Sequence, residues 1–281
     1  MLNLTPFRKK DAFTLHTEIV NSKRDPALVR ELLNINNEIQ SQFEIYQTES
    51  GTNTLESIDS LKIPDDIRVK LRNLYNLKNK AIIEIRRDVT TNGRERAVSE
   101  CQYCTINSVN SMDHIMPKND FPEFSVNAQN LFPCCTECNG YKSSTWLMDG
   151  TRQFLNLYLD ILPETRYLFV ELVYVNDVIT TRFYLENTHG IDENIFQLIC
   201  SHYEKLHLFE RFSVASDTAI TSLRNTLNSL PNQLTSAEIE SFIARVVDAD
   251  MGYFGSNYWK SVLQLALSRD RQFLQSCGID N

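Results

Sequence analysis

Two Cys-x-x-Cys pairs are the sequence feature that most constrains how this 281-residue chain can fold. Cys101 and Cys104 form the first pair, Cys135 and Cys138 form the second, and thirty residues lie between the pairs. Each pair can direct two thiolates at one ion, and four thiolates complete the tetrahedral ligand set that structural zinc prefers. Cys134 precedes the second pair, but its spacing to Cys138 is less usual, so we expect Cys135 to be the ligand. The pattern predicts a small unit whose folding depends on zinc.

Bulk composition indicates an ordinary globular protein. Hydrophobic residues make up 42% of the chain and charged residues 23%, which is not the composition of a disordered or fibrous protein. The seven cysteines are an odd number, which argues against a disulfide framework. The sequence has no apolar run of about 18 residues and no apolar run behind a basic head at its start. We therefore expect a cytoplasmic protein without a membrane partner.

Charge is distributed unevenly along the chain, whose formal net charge is −8. Residues 62–96 contain ten Lys and Arg against five Asp and Glu, whereas residues 146–281 contain ten against seventeen. A negative total is the wrong sign for a free-standing nucleic-acid binder, because neutralisation of phosphates drives such binding. Either the basic segment is the nucleic-acid face or a partner supplies the binding charge. Both segments also fit ordinary solvated helix surfaces.

Apolar periodicity predicts helices on both sides of the cysteine pairs. The elements expected before the pairs are a helix over 25–47 with Asp25 as N-cap and Pro26 at its first position, a polar loop over 48–60, a helix from Pro64 to Asp88 interrupted near Asn76, and a turn over 90–93. The elements expected after the pairs are a β-hairpin of strands 167–174 and 178–185 joined by 175–177, helices from Asp192 onward, a capping box of Thr235 and Glu238, and a last helix over 258–275.

Polar residues lie between and after the cysteine pairs that a zinc ribbon, which needs only the four thiolates, does not require. Asp113-His114-Ile115 lies between the pairs, Asn130-Leu131 lies just before the second pair, and Asn139 and Lys142 follow its last cysteine. In this order and spacing the residues resemble the HNH endonuclease family, also called ββα-metal nucleases, in its version with a four-cysteine zinc site. The resemblance covers about 45 residues.

This resemblance implies two strands and a helix around a catalytic metal, with the strands near 111–116 and 130–133 and the helix beginning near Thr136. The expected fold is α+β and mostly helical. It comprises a helical N-terminal region over 1–96, a central zinc-held ββα-metal (HNH) module over 97–150, and a hairpin plus helical C-terminal region over 151–281.

The resemblance also implies roles in phosphodiester hydrolysis, which needs a deprotonated water and a Lewis acid. His114 is expected to be the general base, since a neutral histidine suits that role near pH 7. Asp113 and Asn139 are expected to offer oxygen ligands to Mg²⁺ or Mn²⁺, at a site separate from the zinc because hard and soft ligands select different metals. Asn130 is expected to brace the loop that holds His114, which completes the catalytic set.

Lys118 and Lys142 are expected to contact substrate phosphate, although each, taken singly, is also an ordinary solvent-facing lysine. The family often has His where this chain has Asn139, and asparagine keeps an oxygen donor. Each of the other motif residues also has a structural explanation, such as a buried histidine, a cap or a loop amide. His202 and His207 lie outside the module, and we expect them to be structural.

The function predicted from these residues is a metal-dependent endonuclease that cuts DNA. The flanks resemble, more loosely, bacterial HNH proteins of defence islands, including Septu systems and some retron cassettes. That likeness rests on Asp113–Lys118, Phe121–Phe124 and His202–Leu206, and it implies an ATPase partner and an antiviral role. The alternatives are a non-catalytic zinc-stabilised subunit that binds nucleic acid or protein, and a structural subunit of a larger complex.

Overall fold

Helices predominate in the computed structural model of this chain, which describes residues 1–91, 97–176, 178–229 and 235–279. The expected α+β, mostly helical fold is confirmed, since the described residues add only short two-stranded sheets to the helices. The chain forms two compact units. The first comprises Asn3–Tyr103 and Asn107–Ile161, and the second comprises Met1–Leu2, Cys104–Ile106 and Leu162–Asn281. The three regions expected from the sequence stay a prediction.

The first unit begins with helices in the described residues before the cysteine pairs. They are α1 (Ala12–Asn21), α2 (Pro26–Leu33), α3 (Asn36–Thr52), α4 (Asp65–Arg72) and α5 (Lys80–Thr91). The sequence did not predict α1. Asp25 caps α2 and Pro26 begins it, as predicted.

The single helix expected over 25–47 is two helices, because the chain turns at Asn34 and Ile35. Leu32 and Ile39 are buried on either side of this turn, so the apolar spacing continues through it, and no Gly or Pro marks it. The polar loop also begins later than expected, because α3 extends to Thr52 and ends at Asn53 in a left-handed conformation.

The interruption predicted near Asn76 is confirmed, since α4 ends at Arg72 and α5 begins at Lys80. The turn predicted over 90–93 is wrong for Thr90 and Thr91, which complete α5. Asn92 and Gly93 lie outside the described residues. The helices α4 and α5 therefore hold most of the described part of the basic segment immediately before the cysteine pairs.

A buried histidine lies in the helical part of the first unit. His16 of α1 is only 1% exposed, and neither ring nitrogen has a hydrogen-bond partner among the described residues. Its ring stacks on Phe13 and meets the edge of Phe43, with ring centroids 6.2 and 5.5 Å away. Burial lowers the pKa of His16 to about 4, because the charged ring would lose its hydration.

This pKa predicts a loss of stability in mild acid. The pKa of His16 is lower in the folded chain than in the unfolded one, so the unfolded state binds more protons as pH falls from about 6.5 to 4. The contribution is fully present above pH ~6.5 and falls by about 3 kcal/mol by pH ~4. We expect His16→Leu to remove that share of the pH dependence in denaturant unfolding. An unchanged pH dependence in this variant would contradict the assignment.

The predicted ββα arrangement follows the helices. Strands β1 (Ser111–His114) and β2 (Leu131–Cys134) pair antiparallel, with Asp113 opposite Phe132 and His114 opposite Leu131. Helix α6 (Thr136–Lys142) comes directly after β2. These bounds confirm the positions expected from the resemblance. Strands β3 (Leu147–Met148) and β4 (Thr151–Arg152) form a second small hairpin.

The second unit combines a hairpin with helices. Its described elements are β5 (Leu168–Val175), β6 (Val178–Leu185), α7 (Glu193–Lys205), α8 (Leu208–Asn228), α9 (Ser236–Phe254), α10 (Trp259–Arg269) and α11 (Arg271–Ser276). The predicted hairpin is confirmed, although Asp177 of its turn lies outside the described residues. The Thr235 and Glu238 capping box is also confirmed. The last helix, expected as one, is broken at Asp270, whose side chain caps α11.

Helices α8 and α10 pack on the two strands of the hairpin. Phe212 and Trp259, one from each helix, stack with ring centroids 5.8 Å apart, and Phe183 of β6 meets both rings.

None of the helices in the described parts of the chain combines the length and the apolar character that crossing a bilayer requires.

Candidate active site and zinc site

The four paired cysteines come together in the structure. Cys101, Cys104, Cys135 and Cys138 are buried, and their sulfur atoms all lie within 4.8 Å of one another. A tetrahedral zinc ion with bonds of about 2.3 Å requires sulfur atoms roughly 4 Å apart, so the cluster fits this metal. All seven cysteines lie in the described residues, and none is in a disulfide. The predicted zinc ligand set is thus brought together, with Cys134 outside it.

Cys135 also begins helix α6. It is the N-cap of this helix, and its sulfur accepts a hydrogen bond from the backbone N–H of Cys138 at 3.4 Å. The side chain of Asn107 approaches the same sulfur at 3.9 Å. N–H donors of this kind stabilise thiolate charge, so the local backbone suits a metal-binding sulfur.

His114 lies at the end of β1 and is 7% exposed. Its Nε2 is 2.9 Å from the backbone carbonyl of Ser125. A carbonyl oxygen only accepts, so Nε2 carries the hydrogen and Nδ1 carries the lone pair in the neutral ring. Burial is the main cause that lowers the pKa of His114 to about 3. The ring is therefore neutral at pH 7 and offers an acceptor nitrogen.

Asp113 forms a buried ion pair with Lys142 of α6. Both carboxylate oxygens lie 3.1 Å from Nζ of Lys142, and Tyr103 donates its hydroxyl hydrogen to Oδ2 at 3.1 Å. Lys142 also donates to the backbone carbonyls of His114 and Ile115, at 2.7 and 3.3 Å. Burial raises the pKa of Asp113, and the ammonium of Lys142 acts against that rise.

The expected contact between Lys142 and substrate phosphate does not fit this position. Lys142 is 1% exposed, and its ammonium hydrogens are directed at Asp113 and two carbonyls. A buried ammonium requires such partners. Lys142 therefore ties α6 to β1, so that the helix and the strand that carry Asn139 and His114 are joined by one side chain.

Asn139 and Asn130 occupy two different environments. Asn139 is half-buried in the middle of α6, and its amide nitrogen donates to the hydroxyl of Ser111 at 2.9 Å. Asn130 is fully buried, and its side chain bonds both the N–H and the carbonyl of Met116, at 2.8 and 3.0 Å. Its backbone carbonyl accepts from Ile115 at 2.9 Å. These bonds hold the segment that follows His114, and the bracing role of Asn130 stays a prediction.

One cavity of about 220 Å³ joins the motif residues. Asp113, His114 and Asn139 line it together with Lys118. The ammonium of Lys118 lies 4.8 Å from the ring centre of Tyr75, and its side chain is half-buried beside the cavity. Three of the four residues expected to be catalytic, Asp113, His114 and Asn139, therefore share a concave surface, whereas Asn130 does not line it. The phosphate contact of Lys118 stays a prediction.

Sequence reasoning missed three residues that orient the site. Tyr75 donates to the carbonyl of Met112 at 3.1 Å and meets the ring of His114 edge to face at 4.5 Å. Ser125 supplies the carbonyl that fixes the His114 ring, and Tyr103 bonds Asp113. Tyr103 lies inside the first cysteine pair, but its spacing carried no signal of this role. Tyr75 and Ser125 are linked to the motif only by the tertiary fold.

Residues 101–145 match the family model of the HNH endonucleases, and this span includes the four paired cysteines and every motif residue described above. The protein ea31 of Escherichia phage lambda is 27% identical over 230 residues, which covers 74% of this chain and 74% of the phage protein. No solved structure matches the chain.

Proposed function

An HNH endonuclease domain occupies residues 101–145, and we propose that the chain is a metal-dependent endonuclease that hydrolyses phosphodiester bonds in DNA. The observation that carries this proposal is the single cavity lined by Asp113, His114 and Asn139. A vestigial site would have little reason to keep a base and two oxygen donors around one concave surface.

In this proposal His114 is the general base. Its Nδ1 holds a lone pair because Nε2 donates to Ser125, and it can accept a proton from a water in the cavity. Tyr75 and Ser125 keep the ring in place. Lys118 binds the phosphate that is being cut, because its ammonium lies beside the same cavity.

The chain's residues also fit a hard divalent cation at this site. A carboxylate has about four acceptor positions, so Asp113 keeps capacity after its bonds to Lys142 and Tyr103. The amide nitrogen of Asn139 donates to Ser111, which leaves the amide oxygen as a ligand. Mg²⁺ or Mn²⁺ held by these two oxygens would polarise the phosphate and lower the pKa of a bound water. The zinc at the four cysteines would be structural.

Plasmid cleavage tests this assignment. The purified chain is incubated with plasmid DNA and either Mg²⁺ or Mn²⁺, beside His114→Ala and the matched control His189→Ala, which alters an exposed histidine. We expect His114→Ala to slow cleavage about 10²- to 10⁴-fold, the usual contribution of a general base, and His189→Ala to be unchanged. Cleavage that survives His114→Ala would refute this mechanism. No cleavage with either metal would favour the non-catalytic binding subunit.

The proposed setting is antiviral defence with an ATPase partner in the cytoplasm. Two features support it: the loose likeness of the flanks to defence-island proteins, and a net charge of −8 that makes the isolated chain a weak nucleic-acid binder. A partner would then supply part of the binding surface. Size-exclusion chromatography with the products of the neighbouring genes tests this setting, and separate elution of every such protein would argue against it.

A further inference from the structure

Two arginines of helix α4 contact the loop that follows strand β1. Arg68 and Arg72 are four residues apart and so lie on the same face of the helix. Arg68 donates to the backbone carbonyls of Asn119 and Asp120, at 3.1 and 2.9 Å. The hydroxyl of Ser60 bonds the same Asp120 carbonyl at 2.6 Å. Arg68 therefore holds the loop that begins with Lys118. The loop belongs to the segment that matches the family, whereas Arg68 precedes that segment.

Arg72 lies one turn further along and contacts a residue that lines the cavity. Its Nη1 is 3.4 Å from the side-chain oxygen of Asn119, and Asn119 and Lys118 both line the cavity with His114. Burial lowers the pKa of Lys118, and the charge of Arg72 contributes to the same shift. Two cations from different elements are thus held close enough to repel each other.

No close ion pair offsets this repulsion in the part of the chain that the structure describes. Within the described residues, neither Arg72 nor Lys118 forms an ion pair with a carboxylate. In contrast, the buried carboxylates Asp113 and Asp160 each have a cation of their own. Burial raises the pKa of the Tyr75 hydroxyl beside the cavity, and the positive charge of Arg86 of α5 acts against that rise. Like charges that are held together and not paired with a carboxylate indicate a site for an external anion.

We propose that α4 is part of the DNA site, with Arg72 and Lys118 binding the phosphates of one strand beside the cavity and Arg68 holding their loop. This inference rests on the proposed nuclease function, because that function supplies a polyanion as the substrate. It gives the basic segment before the cysteine pairs a specific role. The chain then binds DNA through a short stretch of positive surface despite its negative total charge.

Binding measurements on a non-cleaving chain test the inference. Full-length His114→Ala protein is titrated into a fluorescent duplex DNA over a series of salt concentrations, alone and combined with Arg72→Gln. Loss of one phosphate contact should reduce the slope of log affinity against log salt by about 0.9, and weaken binding roughly tenfold near 0.1 M salt. Arg72→Lys should keep the parent slope because it keeps the charge.

The matched control is Arg245→Gln, which removes the same charge from an exposed position on α9 and should bind like the parent. Each variant must keep the parent's thermal unfolding midpoint. An Arg72→Gln chain with the parent's slope and affinity overturns the inference, as does a parent with no salt-dependent binding. Because no cleavage is measured, failure of the nuclease proposal appears separately, as uncut plasmid with His114 intact.

Discussion

Replacing Cys138 by serine is expected to lower the free energy of unfolding by about 5 kcal/mol or more, since loss of a structural metal belongs to the largest single-residue effects. The four sulfur atoms lie buried within 4.8 Å of one another, and loss of one ligand removes the ion that would join the two cysteine pairs. The ββα segment alone offers few residues for a core, and units of about this size usually need a metal. Denaturant unfolding and zinc content measured on the same samples check this result.

Cys134→Ala is the matched control for metal binding. Cys134 is as buried as the ligands but lies outside the cluster, so this variant should keep an equimolar amount of zinc. It should lose only the packing of one sulfur. If Cys134→Ala lost the metal while Cys135→Ala kept it, the assignment of the second pair would be wrong.

Lys142→Met is expected to cost about 3–5 kcal/mol of unfolding free energy, because it leaves the Asp113 carboxylate buried without its cation. Methionine keeps an unbranched apolar side chain of similar length, so the loss reports mainly on the charge and the three hydrogen bonds of the ammonium. Denaturant unfolding measures the effect. Adding Asp113→Asn to this variant should recover part of the loss, since a neutral amide costs less to bury.

Lys118→Met provides the comparison for this change. Lys118 is half-buried and contacts the Tyr75 ring rather than a carboxylate, and such a contact contributes about 0.5–1 kcal/mol at an exposed site. We expect the Lys142 change to lower the free energy of unfolding much more than the Lys118 change, and the Lys118 change to weaken DNA binding instead. Equal and small losses would show that the Asp113 and Lys142 pair does not hold α6 to β1.

The central module was predictable from the sequence because its determinants are local. The Cys-x-x-Cys spacing directs Cys101 and Cys104 to one cluster, and the ordered motif gives the two strands and the helix their positions. The capping box at Thr235 was equally readable, since its two residues bond each other across one turn. The catalytic roles stay predictions.

Features that depend on contacts between residues far apart in the sequence could not be predicted from the sequence. The turn at Asn34 interrupts a helix without any break in apolar spacing, and Lys142 has the same sequence signature whether it faces water or a buried carboxylate. Tyr75 meets His114 only after α4, α5 and β1 are assembled. Sequence pattern reports which residue types recur along an element, whereas these contacts depend on how separate elements come together.

One sulfur atom, that of Cys135, belongs to the metal cluster and also starts α6. Asn139 follows one turn later on that helix, so an ion held by Cys135 would also help to position Asn139 at the cavity. A newly synthesised chain would therefore gain a complete cavity only on loading with zinc. In the proposed nuclease, supply of the metal would then set the time at which cutting activity matures in the cell.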